Sequence, residues 1–142
     1  MASILAIILT LPVQTSAQQG EWNAQAVSKA IEKAKAYLWS QWSNGHWPER
    51  YKPNEPNYGG VTALCTYALL AAGESHQSPR MKKTLKWLAE LNPLGTYTRS
   101  LRANVWAMLG RSSPYRRKLT EDVEWLIRSI GCLLYTSDAA DE

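Results

Sequence analysis

The residues able to do chemistry gather in one stretch. Between Asn44 and Gly60 the sequence carries His46, Trp47, Glu49, Arg50, Tyr51, Glu55 and Tyr58. Glu49 and Glu55 are carboxylates that can act as an acid/base pair, although two carboxylates in one loop are common and weak support for a reaction. Connections longer than about 12–15 residues are usually functional or disordered, and this one is longer. It leads into an apolar segment beginning at Gly60, and the first N–H groups of a helix there favour anions. A pocket lined by His46, Trp47, Tyr58, Tyr97 and Arg99 is the sharpest site expectation. The competing reading is a proline-rich cover (Pro48, Pro53, Pro56) that seals one end of the fold, and it is the preferred one.

The remaining reactive types read as structure. Cys65 lies in an apolar segment with no His or Asp beside it, the usual setting of a small buried hydrophobe. His46 reads as a solvent-facing spacer, and His76 stands in a polar loop with no partner in the sequence around it. With two His and two Cys in the chain, no zinc-like spacing occurs. No catalytic, cofactor-binding or metal-ligating residue is assigned, and no cofactor is expected. Lys82, Lys83 and Lys86, like Arg116, Arg117 and Lys118, can attract anionic lipid or nucleic acid. Without interleaved aromatics they read as solvated faces, and no nucleic-acid partner is expected.

These residues must be positioned by helices. The chain has 142 residues, 45% hydrophobic and 20% charged, with a formal net charge of +4. That mix belongs to one folded domain rather than a disordered tail. Seven Trp and seven Tyr occur with no Phe. Three segments are amphipathic at helical spacing. They are Val27, Ile31, Ala34 and Leu38; Met81, Leu85 and Leu88; and Leu119, Val123, Leu126 and Ile130, the last set against a wet face of Glu121, Asp122, Glu124 and Arg128. Two others, Gly60 to Gly73 and Tyr97 to Gly110, are apolar nearly all round and should be buried on several sides. Gly73 and Gly110 fit left-handed C-caps, and Pro79 and Pro114 open the helices that follow. Aligning Ala36-Tyr37-Leu38 with Lys86-Trp87-Leu88 and Glu124-Trp125-Leu126 superimposes the amphipathic set. Pairing Leu64 with Leu101 and Leu69 with Trp106 superimposes the apolar set. The fold class is all-α: repeated helical hairpins, about five helices in all, forming an incomplete toroid. Charged helices make the outside and apolar ones the inside.

Both ends stand apart. Residues 1–17 have an apolar run, Ile4 to Leu11, too short for a membrane span of about 20 residues. Thr15-Ser16-Ala17 then suits a signal peptidase, which predicts cleavage after Ala17 and a secreted or periplasmic protein. No Lys or Arg precedes Lys29, so the usual basic start of a signal peptide is missing. Residues 132–142 resemble the translation of a sequencing adapter of the kind found at the ends of metagenomic reading frames. That tail holds Asp138, Asp141 and Glu142, so the expected domain, 18–131, is more basic than the whole.

Gln41-Trp42-Ser43-Asn44-Gly45-His46-Trp47 fits Q-x-x-x-G-x-W at the end of the first amphipathic helix. Gly45 can take the positive φ that ends a helix, and Asn44 tolerates the same geometry. Gln41 can offer its amide to the exposed helix end, and Trp47 can fold back over the turn with its indole N–H free for an acceptor. With this motif and the segment Val61 to Gly73, the chain resembles the prenyltransferase and squalene-oxidase repeat family, whose members form the α/α toroid of terpenoid cyclases. The resemblance covers about residues 24–130 and is nearest to uncharacterised secreted bacterial members. It implies that Gln41, Gly45 and Trp47 are scaffold and that the chain is an N-terminal fragment of a larger ring.

The departures from that family bear on function. Squalene–hopene-type cyclases use an acidic D-x-D-D motif, and no such run occurs here; nor does the Asp, Cys and His set that holds zinc in protein prenyltransferases. Three classes remain. The preferred one is a secreted binding or structural module, non-enzymatic in this part, holding an apolar or carbohydrate ligand in the barrel of the full-length protein. The others are a terpenoid cyclase or prenyltransferase with its catalytic half missing, and a polysaccharide lyase-like toroid, suggested by Gly45-His46-Trp47-Pro48. A signal peptide favours the first or the last.

Overall fold

A computed structural model describes residues 23–137, the last seven of them as backbone alone. The expected segment 1–17 and residues 138–142 of the expected tail 132–142 lie outside the described residues, while 132–137 continue α5. Five helices follow one another: α1 (Ala24–Gln41), α2 (Gly60–Ala71), α3 (Pro79–Glu90), α4 (Thr96–Met108) and α5 (Arg116–Ser137). Among the described residues there is no strand, only one isolated bridge between Ser43 and His46. The fold is all-α, as the periodicity predicts.

The helix ends follow from their residues. Asn23 accepts the Gln25 N–H at 2.9 Å and starts α1. Ser78 accepts the Met81 N–H with Pro79 at the first helical position of α3, the arrangement in which a missing N–H costs nothing. Gly73 and Gly110 have φ of 83° and 82° just beyond α2 and α4, where only glycine turns left-handed without a Cβ clash. Pro114 sits two residues before α5 and so belongs to the turn.

The core is shared by α2, α3, α4 and the loop after α1. Trp47, Leu69, Met81, Leu85, Leu88, Val105 and Trp106 are all nearly inaccessible. The α3 set Met81, Leu85 and Leu88 is buried as its spacing predicts, and the paired Leu69 and Trp106 share the same core. α4 packs along both α2 and α5, and α2 more lightly on α3.

Three expectations are corrected. In α1 no residue is fully buried: Val27 and Ile31 remain over 40% exposed, and only Leu38 and Trp39 reach the core. In α5 the inward face is rotated. Asp122 is buried and Leu119 and Trp125 half-buried, whereas Val123 and Ile130 face solvent. Finally, α2 and α4 are not covered on every side. They bury Thr62, Thr66 and Leu69, and Thr98, Val105 and Trp106, and they expose Leu64 and Tyr67, and Tyr97 and Met108. Leu64 is therefore exposed where its repeat partner Leu101 is half-buried.

Candidate functional site

The connection from Trp42 to Gly59 begins with a tight turn. Asn44 and Gly45 both have positive φ, 53° and 103°, and Ser43 and His46 exchange two backbone hydrogen bonds of 3.0 Å. This is the Asn-Gly geometry of a two-residue hairpin turn. The chain reverses here, and Trp47 returns over the end of α1. Its indole N–H donates to the Leu38 carbonyl at 2.6 Å, one of the last carbonyls of a helix that lack an internal partner. Trp42 reaches the other way, donating from Nε1 to Thr84 Oγ1 of α3 at 2.8 Å. Gln41 is exposed and donates only to the Ser40 hydroxyl. Gly45 makes the turn and Trp47 is buried behind it, and the helix end is closed by Trp47 and Ser40 rather than by the Gln41 amide.

Two of the expected pocket residues meet around Trp87. His46 stacks on it with ring centroids 4.9 Å apart, and Tyr58 approaches edge-on at 5.9 Å. His46 is half-buried, not a solvent-facing spacer. Its Nδ1 lies 2.7 Å from the Trp47 carbonyl. A carbonyl only accepts, so Nδ1 carries the hydrogen. Tyr97 lies against Gly60, so close that a Cβ on Gly60 would come within 2.8 Å of its ring. Arg99 turns away altogether. It donates to Asp122 and Asn92 and covers the Trp125 ring at 4.5 Å. Burial pushes its guanidinium below the usual arginine range, partly offset by Asp122.

The anion-binding end of α2 is occupied by the protein itself. Glu49 accepts the N–H groups of Thr62 at 2.8 Å and Val61 at 3.3 Å, which places a negative charge on the positive end of the helix dipole. Glu55 accepts the Lys52 N–H inside the loop. The two carboxylates cap separate pieces of backbone and do not form an acid/base pair. Cys65 is half-buried, and its thiol is pushed up to about 11, by burial first and by the charge of Glu49 second. Among the described residues no cluster of His, Cys, Asp or Glu could hold a metal ion.

One constellation was not foreseen. Asp122 is fully buried and accepts four bonds: Arg102 Nη2 at 2.5 Å and Nε at 2.8 Å, Arg99 Nη1 at 3.1 Å and Trp106 Nε1 at 3.2 Å. Arg102 also donates to the carbonyls of Leu88 and Leu91 at the end of α3. A bidentate guanidinium–carboxylate pair is the strong form of this contact, and here it fastens α3, α4 and α5 together. With every carboxylate lone pair engaged, Asp122 has no oxygen left for a substrate. The signal in the sequence was Arg99 and Arg102 in an otherwise apolar segment, which demand a buried anion.

One open apolar surface is the file on α2 and α4. Leu64 and Tyr67 of α2 and Tyr97 and Met108 of α4 are 38–49% exposed, on two helices packed against each other. Its polar members satisfy themselves: Asn104 donates to the Ser100 carbonyl and Ser100 to the Tyr97 carbonyl. What the file offers a neighbour is hydrocarbon and aromatic ring.

Comparison with known proteins gives one informative match. Over 80 residues the chain is 39% identical to a probable squalene–hopene cyclase of Sinorhizobium fredii (strain NBRC 101917 / NGR234), which covers 56% of this chain and 12% of that protein. The chain matches about an eighth of the length of this curated relative. No family model matches, and no solved structure matches. The similarity is weak and of the terpenoid-cyclase type. Among the described residues no helix is long and apolar enough to cross a membrane.

Proposed function

We propose that the chain forms one arc of an α/α toroid in which α2 and α4 line an apolar chamber, while α1, α3 and α5 make the outside. Its role in this reading is to hold an apolar, isoprenoid-like ligand and to support the ring, not to supply the acid of a cyclisation. The exposed file of Leu64, Tyr67, Tyr97 and Met108 carries the proposal. A solvated helix face normally bears charge, and on these two helices the charged side chains, Arg99 and Arg102, turn instead to Asp122. The identity to a probable squalene–hopene cyclase supports the same reading, as does the Q-x-x-x-G-x-W turn. The sequence has no D-x-D-D run, so proton donation is not assigned to these residues.

The test is binding of squalene, presented in detergent micelles, to the chain and to the variant Leu64→Asp/Met108→Asp. Both substitutions fall on exposed positions, so the fold should survive, as far-UV circular dichroism will show. Retention of squalene is expected to drop at least tenfold in that variant and to persist in Ile127→Asp on the outside of α5. Equal retention by all three proteins contradicts the proposal. Export is a separate proposal, resting on Ile4 to Leu11 and Thr15-Ser16-Ala17. A mature protein beginning at Gln18 in a periplasmic fraction supports it, and an intact N-terminus in the cytoplasm contradicts it.

A further inference from the structure

Among the described residues two cavities flank α3, and their charges differ. The first, about 480 Å³, lies between α1 and the start of α3. Its cations are already matched: Lys35 pairs with Glu32 and Glu74, and Arg80 lies over the rings of Trp39 and Trp42. The second, about 440 Å³, lies where the α2–α3 and α4–α5 loops meet the flank of α3. That volume is within the range of small-molecule sites, about 300–1,000 Å³. Its apolar wall is Leu85, Leu109 and Tyr115, and Tyr115 is held by stacking on Trp106 at 4.8 Å. Around it stand Lys82, Lys86, His76 and Ser112, and no acidic residue lines it.

Lys82 and Lys86 are one helical turn apart on the same face, so both ammonium groups can reach one anion. Among the described residues Lys82 has no ion pair, and Lys86 has only a 3.9 Å contact with Glu90 at the exposed edge. The surrounding charge points the same way. Lys82, Leu85 and Lys86 of α3 and Ser112 to Tyr115 just before α5 line this cavity, and neither helix has an acidic residue in its first turn. Those turns carry Arg80, Lys82, Arg116, Arg117 and Lys118 instead; Arg80 lies over Trp39 and Trp42 at the first cavity and Arg117 and Lys118 pair with Glu121, which leaves Lys82 and Arg116 without an acidic partner among the described residues. Cations in a first turn add to the positive end of the helix dipole rather than offsetting it.

We propose that this cavity binds a phosphomonoester with an apolar body, the phosphate on Lys82 and Lys86 with His76 and Ser112 at the rim, and the body against Leu85, Leu109 and Tyr115. A phosphomonoester carries about −1.5 to −2 charges at pH 7, which matches two adjacent ammonium groups. The ligand is distinct from the one proposed for the α2–α4 file, and neither site needs the other. A free metabolite and a lipid headgroup can both present this chemistry. The probes are octyl phosphate below its micelle concentration, and vesicles with and without phosphatidic acid. The proteins are the full chain, Lys82→Glu/Lys86→Glu, and Lys29→Glu/Lys33→Glu on exposed α1, which changes the net charge equally.

Octyl phosphate should bind the full chain and the α1 variant alike, measured by calorimetry. It should bind at least tenfold more weakly to Lys82→Glu/Lys86→Glu, and octanol and inorganic phosphate should each bind more weakly than octyl phosphate. Vesicle binding that needs phosphatidic acid and both lysines assigns the site to a headgroup; binding of octyl phosphate alone assigns it to a free metabolite. Equal weakening in the two double variants, unchanged binding in Lys82→Glu/Lys86→Glu, or no binding of either probe overturns the proposal.

Discussion

Asp122 and Arg102 are each 2% exposed or less, so substitution at either leaves the other charge buried without its partner. Removing one member of a buried pair costs about 3–5 kcal/mol. Asp122→Ala is therefore expected to lower unfolding free energy by that amount in urea titration, and a change below 1 kcal/mol contradicts the clasp. Cys65 allows a second prediction at this scale. Its folded thiol holds its proton to about 11, while an ordinary thiol releases it near 9.0. The unfolded chain thus ionises first, and stability falls as pH rises through that interval. In a Cys132→Ser background, the stability difference relative to Cys65→Ala should shift against the thiol between those two values. Iodoacetamide at neutral pH should modify Cys65 only slowly until denaturant is added, because the thiolate is the nucleophile.

Two helix ends depend on side chains from the long connection. Trp47→Phe keeps a ring in the core but leaves the Leu38 carbonyl unpaired, a loss of about 1–3 kcal/mol, readable as lost amide protection in the last turn of α1. Gly59 has φ 85°, and a methyl there would run into Leu91. Gly59→Ala should be destabilising beyond the about 1–2 kcal/mol of the left-handed backbone, whereas Gly73→Ala, with open space around it, should cost only the backbone part. These elements also show what a sequence can and cannot tell. Helix positions, the turn at Asn44-Gly45 and the buried face of α3 were legible because spacing and glycine geometry are local properties. The face of α5 was not. A periodic reading assigns Asp122 to water, and only the approach of Arg99, Arg102 and Trp106 turns it inward and exposes Val123. The open faces of α2 and α4 were hidden for the converse reason, since an apolar chamber wall and a buried core have the same composition. Of the expected pocket, His46 and Tyr58 meet on Trp87, while Arg99 belongs to the clasp. That division depends on contacts between distant segments.

The whole molecule leaves more than the α2–α4 file exposed. Val27 and Ile31 on α1, and Ile127 and Ile130 on α5, are 41–62% exposed, and unmatched apolar ends are what repeat arrays normally cap. Sedimentation velocity at micromolar concentration should show self-association that weakens in Ile127→Lys/Ile130→Lys. A monomer with a sharp, reversible thermal transition contradicts this. In the proposed function the α2–α4 file faces an apolar ligand. Its most direct test is photolabelling of the full chain with a diazirine-bearing C30 isoprenoid, followed by peptide mapping. Labels should concentrate on Leu64, Tyr67, Tyr97 and Met108 and be displaced by excess squalene. Labels concentrated on α1 or α5, with the α2 and α4 peptides unmodified, would contradict it.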